Sequence, residues 1–183
     1  MRLAWLRWFS LGLVVGLATL GLWLRVGHGT RGVAVDFVRQ FESASVRRPD
    51  REAFAVRDVI VAGESKPSIT VQQPTRVAWD LTVPDHAWVE TEVALLEEAW
   101  TRAGDGVLFR IGISLDGRYD ELVNQAVNPF ARPDDRRWIP VVVDLSAYGG
   151  RAVSVIFNTG PGVEGNNRDN DLGVWGSPRI VTR

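Results

Sequence analysis

The chain has 183 residues, a formal net charge of −1 and no cysteine. So even a charge balance leaves no basic footprint for nucleic acid. The missing cysteines exclude disulfides, thiolate chemistry and cysteine-ligated zinc.

In chain order the first element is an uncharged apolar run at residues 8–24, WFSLGLVVGLATLGLWL, bounded by Arg7 and Arg25. As a helix it would extend roughly 26 Å, close to a hydrocarbon core. Trp5, Trp8 and Trp23 lie near its ends, where indoles favour the headgroup zone. The run exceeds the h-region of a cleaved signal, and RVGHGT after it offers no small-x-small cleavage site. The expectation is a transmembrane anchor at residues 8–25, after a flank at 1–7, with the C-terminal domain outside the cytoplasm. The arginine count runs the other way, with Arg2 and Arg7 before the span and Arg25, Arg31 and Arg39 after it.

Residues 26–53 read as a juxtamembrane segment. Val35, Phe37, Val38 and Phe41 would form one face of a short helix, and RRPDR at 47–51 a linker. From Phe54 the apolar period becomes two. Val77, Trp79, Leu81 and Val83 alternate with Arg76, Ala78, Asp80 and Thr82. Along VLFRIGISL at 107–115 the odd positions are apolar, while Arg110, Gly112 and Ser114 face the other way. Further strands are expected around Val59, Ile69, Val89, Val141, Val155 and residues 172–181. Turn chemistry separates them, as at Pro84-Asp85-His86, Asp116-Gly117 and Gly149-Gly150. Short strands, each with one apolar face, imply an antiparallel sandwich or barrel over residues 54–183.

Within that pattern WIPVVVDLSAYGG at 138–150 precedes VSVIFNT at 153–159, and the chain closes on GVWGSPRI at 173–180. The series resembles the C-terminal half of galactose-binding-like jelly rolls, the fold of many non-catalytic carbohydrate-binding modules. The resemblance implies an all-β antiparallel jelly-roll β-sandwich behind the single N-terminal span. It implies a glycan partner, with a structural Ca²⁺ as cofactor.

Three site readings follow. Asn167, Asp169 and Asp171 alternate in an oxygen-rich loop and could converge on one hard cation, against the plainer reading of an Asx-rich turn. Trp88 is out of phase with Val89 and Val93, and Trp100 sits among Glu97, Glu98 and Arg102. Trp88, Trp100 and Arg102 are therefore the candidate sugar-stacking and hydrogen-bonding residues, whereas Trp79, Trp138 and Trp175 read as structural. The mixed-charge run RPDDRR at 132–137 reads as a self-compensated loop rather than an anion grip.

Catalysis finds no support. The two histidines, His28 and His86, lack metalloprotease spacing, and there is no G-x-S-x-G. The G-x-G-x-x-G at 160–165 runs into Asn166-Asn167-Arg168-Asp169 where a helix would be needed. The sequence thus points to a membrane-anchored, extracytoplasmic, non-catalytic binding module acting on glycan. The alternative is a scaffold subunit that binds another envelope protein, and the third reading a degenerate hydrolase.

Overall fold

The computed structural model describes residues 32–183 apart from 73 and 163–168. The apolar run at 8–24 and Asn167 lie outside the described residues. Among those described, no helix is long and apolar enough to cross a membrane.

Among the described residues eleven strands build two antiparallel sheets. They are β1 (Gly32–Asp36), β2 (Val46–Arg48), β3 (Phe54–Val61), β4 (Glu64–Val71), β5 (Thr75–Thr82), β6 (Ala87–Leu95), β7 (Val107–Leu115), β8 (Arg118–Val127), β9 (Ile139–Asp144), β10 (Ala152–Pro161) and β11 (Gly173–Thr182). Sheet A runs β3-β4-β11-β6-β9, with β1 also on β11; sheet B runs β2-β5-β10-β7-β8. From β4 onward the chain alternates between sheets except at the β7–β8 hairpin, as in a jelly-roll sandwich. The period-two patterning explains the layering. Val77, Trp79, Ile111, Ile113, Val155 and Phe157 point inward from sheet B and meet Ile69, Val89, Val93 and Trp175 of sheet A. An aromatic chain fills the centre: Phe37–Trp79 at 4.6 Å, Trp79–Phe157 at 5.6 Å, Phe157–Trp175 at 4.9 Å and Trp175–Phe109 at 4.9 Å.

The segment read as a juxtamembrane helix and linker is instead part of the sandwich, which starts at Gly32 rather than Phe54. Gly32–Asp36 pairs with β11, and Val46–Arg48 pairs with β5. The apolar residues between them are core: Phe37 and Phe41 are almost fully enclosed. Their spacing suits a helix face equally well. Long-range pairing with β11 and β5 decides against it, information no local window holds.

Two local devices shape the outer face of sheet A. Between Gly176 and Arg179 the register of β11 shifts, with Ser177 at φ 44°. Before this bulge β11 pairs with β4, and after it with β1. The β3–β4 hairpin, turned by Ala62 (φ 50°) and Gly63 (φ 81°), then folds over the sheet. It buries Val59 and Val61 against Ala94, Val174 and Trp138 in a second small core. Trp138 Nε1 donates to the Glu64 carbonyl at 3.0 Å, which fixes the ring. Lys66 spans the same layer between Glu64 and Glu92, with Nζ 2.7 Å from the Glu92 carboxylate. Burial opposes the charge of Lys66, but the two carboxylates outweigh it and raise its pKa above the usual lysine value.

Candidate functional site

The three aromatic and guanidinium candidates do not assemble into one site. Trp100 packs on the second core and donates Nε1–H to the Leu95 carbonyl at 3.1 Å, so its edge is committed to the fold. Trp88 begins β6 and is half-buried on the outer face of sheet A. The seven-residue separation along β6, at about 3.3 Å per residue, places it over 20 Å from the Leu95 end. Arg102 is exposed in the β6–β7 loop, at the end of the sandwich where Phe130, Asp169 and Asn170 also lie. Trp79, Trp138 and Trp175 are buried. The 132–137 run is satisfied internally: Arg132 pairs with Asp135 at 2.8 Å, and Arg137 Nε donates to the Asp134 carbonyl at 3.1 Å.

The oxygen-rich loop is described only at its margins. Asp171 is 4% exposed. Asn170 Nδ2 ties the loop to the Ala103 carbonyl at 2.9 Å. A residue outside the alternating set joins it there: Asp105, whose two carboxylate oxygens are both enclosed without a hydrogen-bond donor. It packs on Gly162, where a Cβ would lie 1.8 Å from the Asp105 carbonyl oxygen. An enclosed carboxylate without a donor is costly unless a cation meets it. The Asp105 carboxylate is thus chemically suited to a hard cation that takes oxygen ligands. Among the described residues no three carboxylate or imidazole side chains form a metal cluster.

The more developed constellation lies on the outer face of sheet B. Because Val77, Ile111 and Phe157 point inward, their neighbours Arg76, Arg110, Gly112 and Asn158 point out. Cross-strand register arranges this face in rows. One row reads Arg48, Arg76, Asn158, Arg110, Asn124 across all five strands. The next reads Val46, Ala78, Ile156, Gly112, Glu121, and the third Asp80, Ser154, Ser114, Tyr119.

Tyr119 leans out of its row across Gly112. A Cβ on Gly112 would fall 2.4 Å from Tyr119 Cε2 and 2.5 Å from Cζ and Oη, so the ring seats directly on the bare backbone. The ring is 38% exposed. Asn158 Nδ2 lies 3.5 Å from the phenol oxygen, Arg76 Nε donates to Asn158 Oδ1 at 2.8 Å, and the Arg76 guanidinium is 5.9 Å from the ring centre. Partial burial, helped by the negative charge of Glu121, raises the Tyr119 phenol above its usual pKa. On the other side the Asp80, Ser114 and Ser154 row opens into a shallow depression of about 510 Å³ that Asp116 and Thr82 also line. Asp80 accepts a short hydrogen bond from the Ser154 hydroxyl.

Chemically this is an aromatic face on a rigid sheet, flanked by guanidinium, amide, carboxylate and hydroxyl groups. Sequence reading named Arg110, Gly112 and Ser114 only as the outward side of a strand and did not single out Tyr119. The available signal was a glycine inside a strong strand, which marks close approach by another group.

Comparison with known proteins yields fold but no family. No family model matches the chain. An uncharacterised Archaeoglobus fulgidus protein is 38% identical over 103 residues, which are 55% of this chain and 25% of that protein. The chain therefore spans about a quarter of that curated relative's length. The structure of the M60 catalytic domain with two CBM51 domains from Clostridium perfringens ZmpB aligns with TM-score 0.57 and 14% identity, over 83% of this chain and 15% of that one. The CBM51 from Clostridium perfringens GH95, solved in complex with methyl-galactose, aligns with TM-score 0.54 and 14% identity over 81% of this chain and 99% of that one. These likenesses show that the described domain has the galactose-binding-like β-sandwich fold of carbohydrate-binding modules.

Proposed function

We propose that the domain is a non-catalytic glycan-binding module. The observation that carries this reading is the Tyr119 ring seated on Gly112 on the outer face of sheet B, beside its β8 edge. A pyranose presents an apolar C–H face, which a flat, partly exposed ring can cover. Its hydroxyls then meet Asp80, Ser114, Ser154 and Asp116 on one side and Arg76 on the other. Both partners are held by a paired sheet, so little side-chain order is lost on binding. The shared fold with modules such as the methyl-galactose-bound CBM51 supports the same reading.

The apolar run at 8–24 would anchor this module in the membrane with the sandwich outside the cytoplasm, presenting it to envelope or extracellular glycan. Ca²⁺, held by Asp105 with Asn167, Asp169 and Asp171 of the loop, would neutralise the enclosed Asp105 carboxylate and brace the loop end.

The test is a glycan-array screen of the full chain in mild detergent, alongside Tyr119→Ala. Saturable binding that the substitution weakens by tenfold or more supports the module reading. Trp88→Ala and Arg102→Ala serve as controls away from this face. Well-folded protein with no glycan signal overturns it and leaves the scaffold alternative, a protein partner at the envelope.

A further inference from the structure

We infer that the glycan is an acidic one, bearing carboxylate or sulfate groups; this deepens the reading above and rests on it. The observation is the row Arg48, Arg76, Asn158, Arg110, Asn124, which crosses sheet B immediately beside the Tyr119 seat. It carries three guanidinium groups and two amides, and no acid. Register places Arg48 directly opposite Arg76 on adjacent strands. Like charges in that position repel, so the fold gains nothing from the pair.

The acids that face this row are few and badly placed to neutralise it. Glu121, in the neighbouring row, reaches Arg110 Nε only at 3.8 Å and also accepts from Asn124 Nδ2 at 3.1 Å. Asp80 stands two rows away and is engaged by Ser154. Among the described residues neither Arg48 nor Arg76 has a carboxylate within ion-pair distance. Some surface arginines elsewhere are paired, as Arg51 with Glu42 at 2.7 Å, Arg132 with Asp135 at 2.8 Å and Arg179 with Glu90 at 3.0 Å, whereas Arg57 and Arg102 stand singly among the described residues. What sets this face apart is the juxtaposition: Arg48 and Arg76 stand opposite each other beside an outward ring, and their cationic capacity is left for something outside the chain.

Guanidinium is suited to that task. Its planar fork matches carboxylate and sulfate oxygens two at a time and keeps its charge at any working pH. Arg76 is further prepared for it. Its Nε is spent on Asn158, which orients the terminal nitrogens while the ring of Tyr119 lies alongside. A sugar stacked on Tyr119 would therefore turn its acidic substituents toward Arg48, Arg76 and Arg110. Its free hydroxyls would turn toward Asp80 and Asp116. The polarity of the face, cationic above the ring and acidic below it, fixes the direction in which a chain of sugars would lie.

The experiment is affinity electrophoresis of the full chain in native detergent gels cast with one polymer each. The polymers are polygalacturonate, neutral galactan, dextran sulfate, neutral dextran and polyglutamate. The expected result is retardation by polygalacturonate or dextran sulfate at concentrations at least tenfold below the matched neutral polymer, weakening as salt is added. Arg48→Gln with Arg110→Gln, both exposed positions, should abolish the preference for acid while leaving the near-ultraviolet circular dichroism unchanged. Equal retardation by neutral and acidic polymers, unaffected by the double substitution, overturns the acidic assignment but leaves glycan binding standing. Equal retardation by polyglutamate overturns it as well, since the row would then be a general anion exchanger. If no polysaccharide retards the folded protein, the glycan reading itself fails.

Discussion

Two glycines on opposite outer faces face similar steric problems and should answer substitution differently. At Gly112 an added Cβ meets Tyr119 at 2.4 Å; at Gly176 it meets Trp138 Cζ3 at 2.6 Å. Trp138 is 5% exposed, roofed by the β3–β4 hairpin and pinned through Nε1 to the Glu64 carbonyl. It has nowhere to go, so Gly176→Ala should carry an overpacking cost of about 1–3 kcal/mol. The gain in backbone entropy from removing a strand glycine, about 0.5–1 kcal/mol, offsets part of it. Tyr119 lies on the edge strand β8 with one face toward solvent. Its ring can swing clear, giving up about 1 kcal/mol of apolar burial, less than half the value of enclosing a large side chain. Here the same glycine term nearly cancels the loss. For a domain of this size each kcal/mol moves Tm by about 2–4 °C. Thermal unfolding should therefore place Gly112→Ala within about 2 °C of the parent and Gly176→Ala roughly 2.5–5 °C below it. Glycan affinity should show the reverse order, falling about tenfold for Gly112→Ala, or ~1.4 kcal/mol, and staying unchanged for Gly176→Ala. Equal destabilisation by the two substitutions would mean that Tyr119 is locked rather than seated, and the argument for a presented ring would fail.

The remaining predictions concern chemistry at single groups. The chain has two tyrosines, and both phenols are raised: Tyr119 by burial and then Glu121, Tyr148 by burial and then the Asp120 carboxylate. Their contribution to stability is complete below the unfolded value of about 10 and is lost as pH climbs through the folded values. Tyrosinate absorbance of the native protein should accordingly develop at higher pH than in denaturant, with Tyr119→Phe removing about half the amplitude; superimposable native and denatured titrations would contradict this. Inside the sandwich, Thr75 and Thr159 share a buried hydroxyl hydrogen bond of 2.7 Å, and Thr75 N–H also donates to Thr159 Oγ1 at 3.1 Å. Thr159→Val strands the Thr75 N–H and leaves the Thr75 hydroxyl without this partner, and should cost about 1–3 kcal/mol in urea unfolding; a cost near zero would show that water replaces the hydroxyl. If Ca²⁺ braces the loop end, excess Ca²⁺ at about a hundred times its Kd should add ~2.7 kcal/mol. A chelator should remove that increment, and Asp105→Asn should abolish it. A Tm indifferent to both would dismiss the ion.

Much of the sandwich was legible because its strands carry period-two patterns that only one layer arrangement satisfies. Val77, Trp79 and Leu81 on β5, and the odd positions of β7, declare an inner face without any knowledge of their partners. Asp116 (φ 51°) and Gly117 (φ 77°) form the tight β7–β8 turn that their dipeptide announces. What failed was the segment before Phe54. Val35, Phe37, Val38 and Phe41 alternate as a helix would, and their burial comes from β11 and β5, more than thirty residues away in sequence. A three-residue strand such as β2 has too few positions to show any period at all.

The site was harder to read for a related reason: its members become neighbours only through register. Arg48, Arg76, Asn158, Arg110 and Asn124 come from five strands, and each alone is an unremarked polar residue on an outward face. The tryptophans drew attention because the residue type is rare, yet Trp100 and Trp138 use their N–H groups to tie loops to strands. Tyr119 carries no such mark, although it is the aromatic on the outer face of sheet B. Its signature is the glycine opposite, not the tyrosine. The β7–β8 register shifts between Ile111 and Gly112, with the extra residue on β8, but Gly112 itself has no positive φ that would demand glycine. Such a glycine weakens the strand by roughly 0.5–1 kcal/mol relative to alanine. It is retained at that cost because the missing Cβ is the seat of the ring, and moving the glycine by one residue would place a side chain there and turn the gap inward.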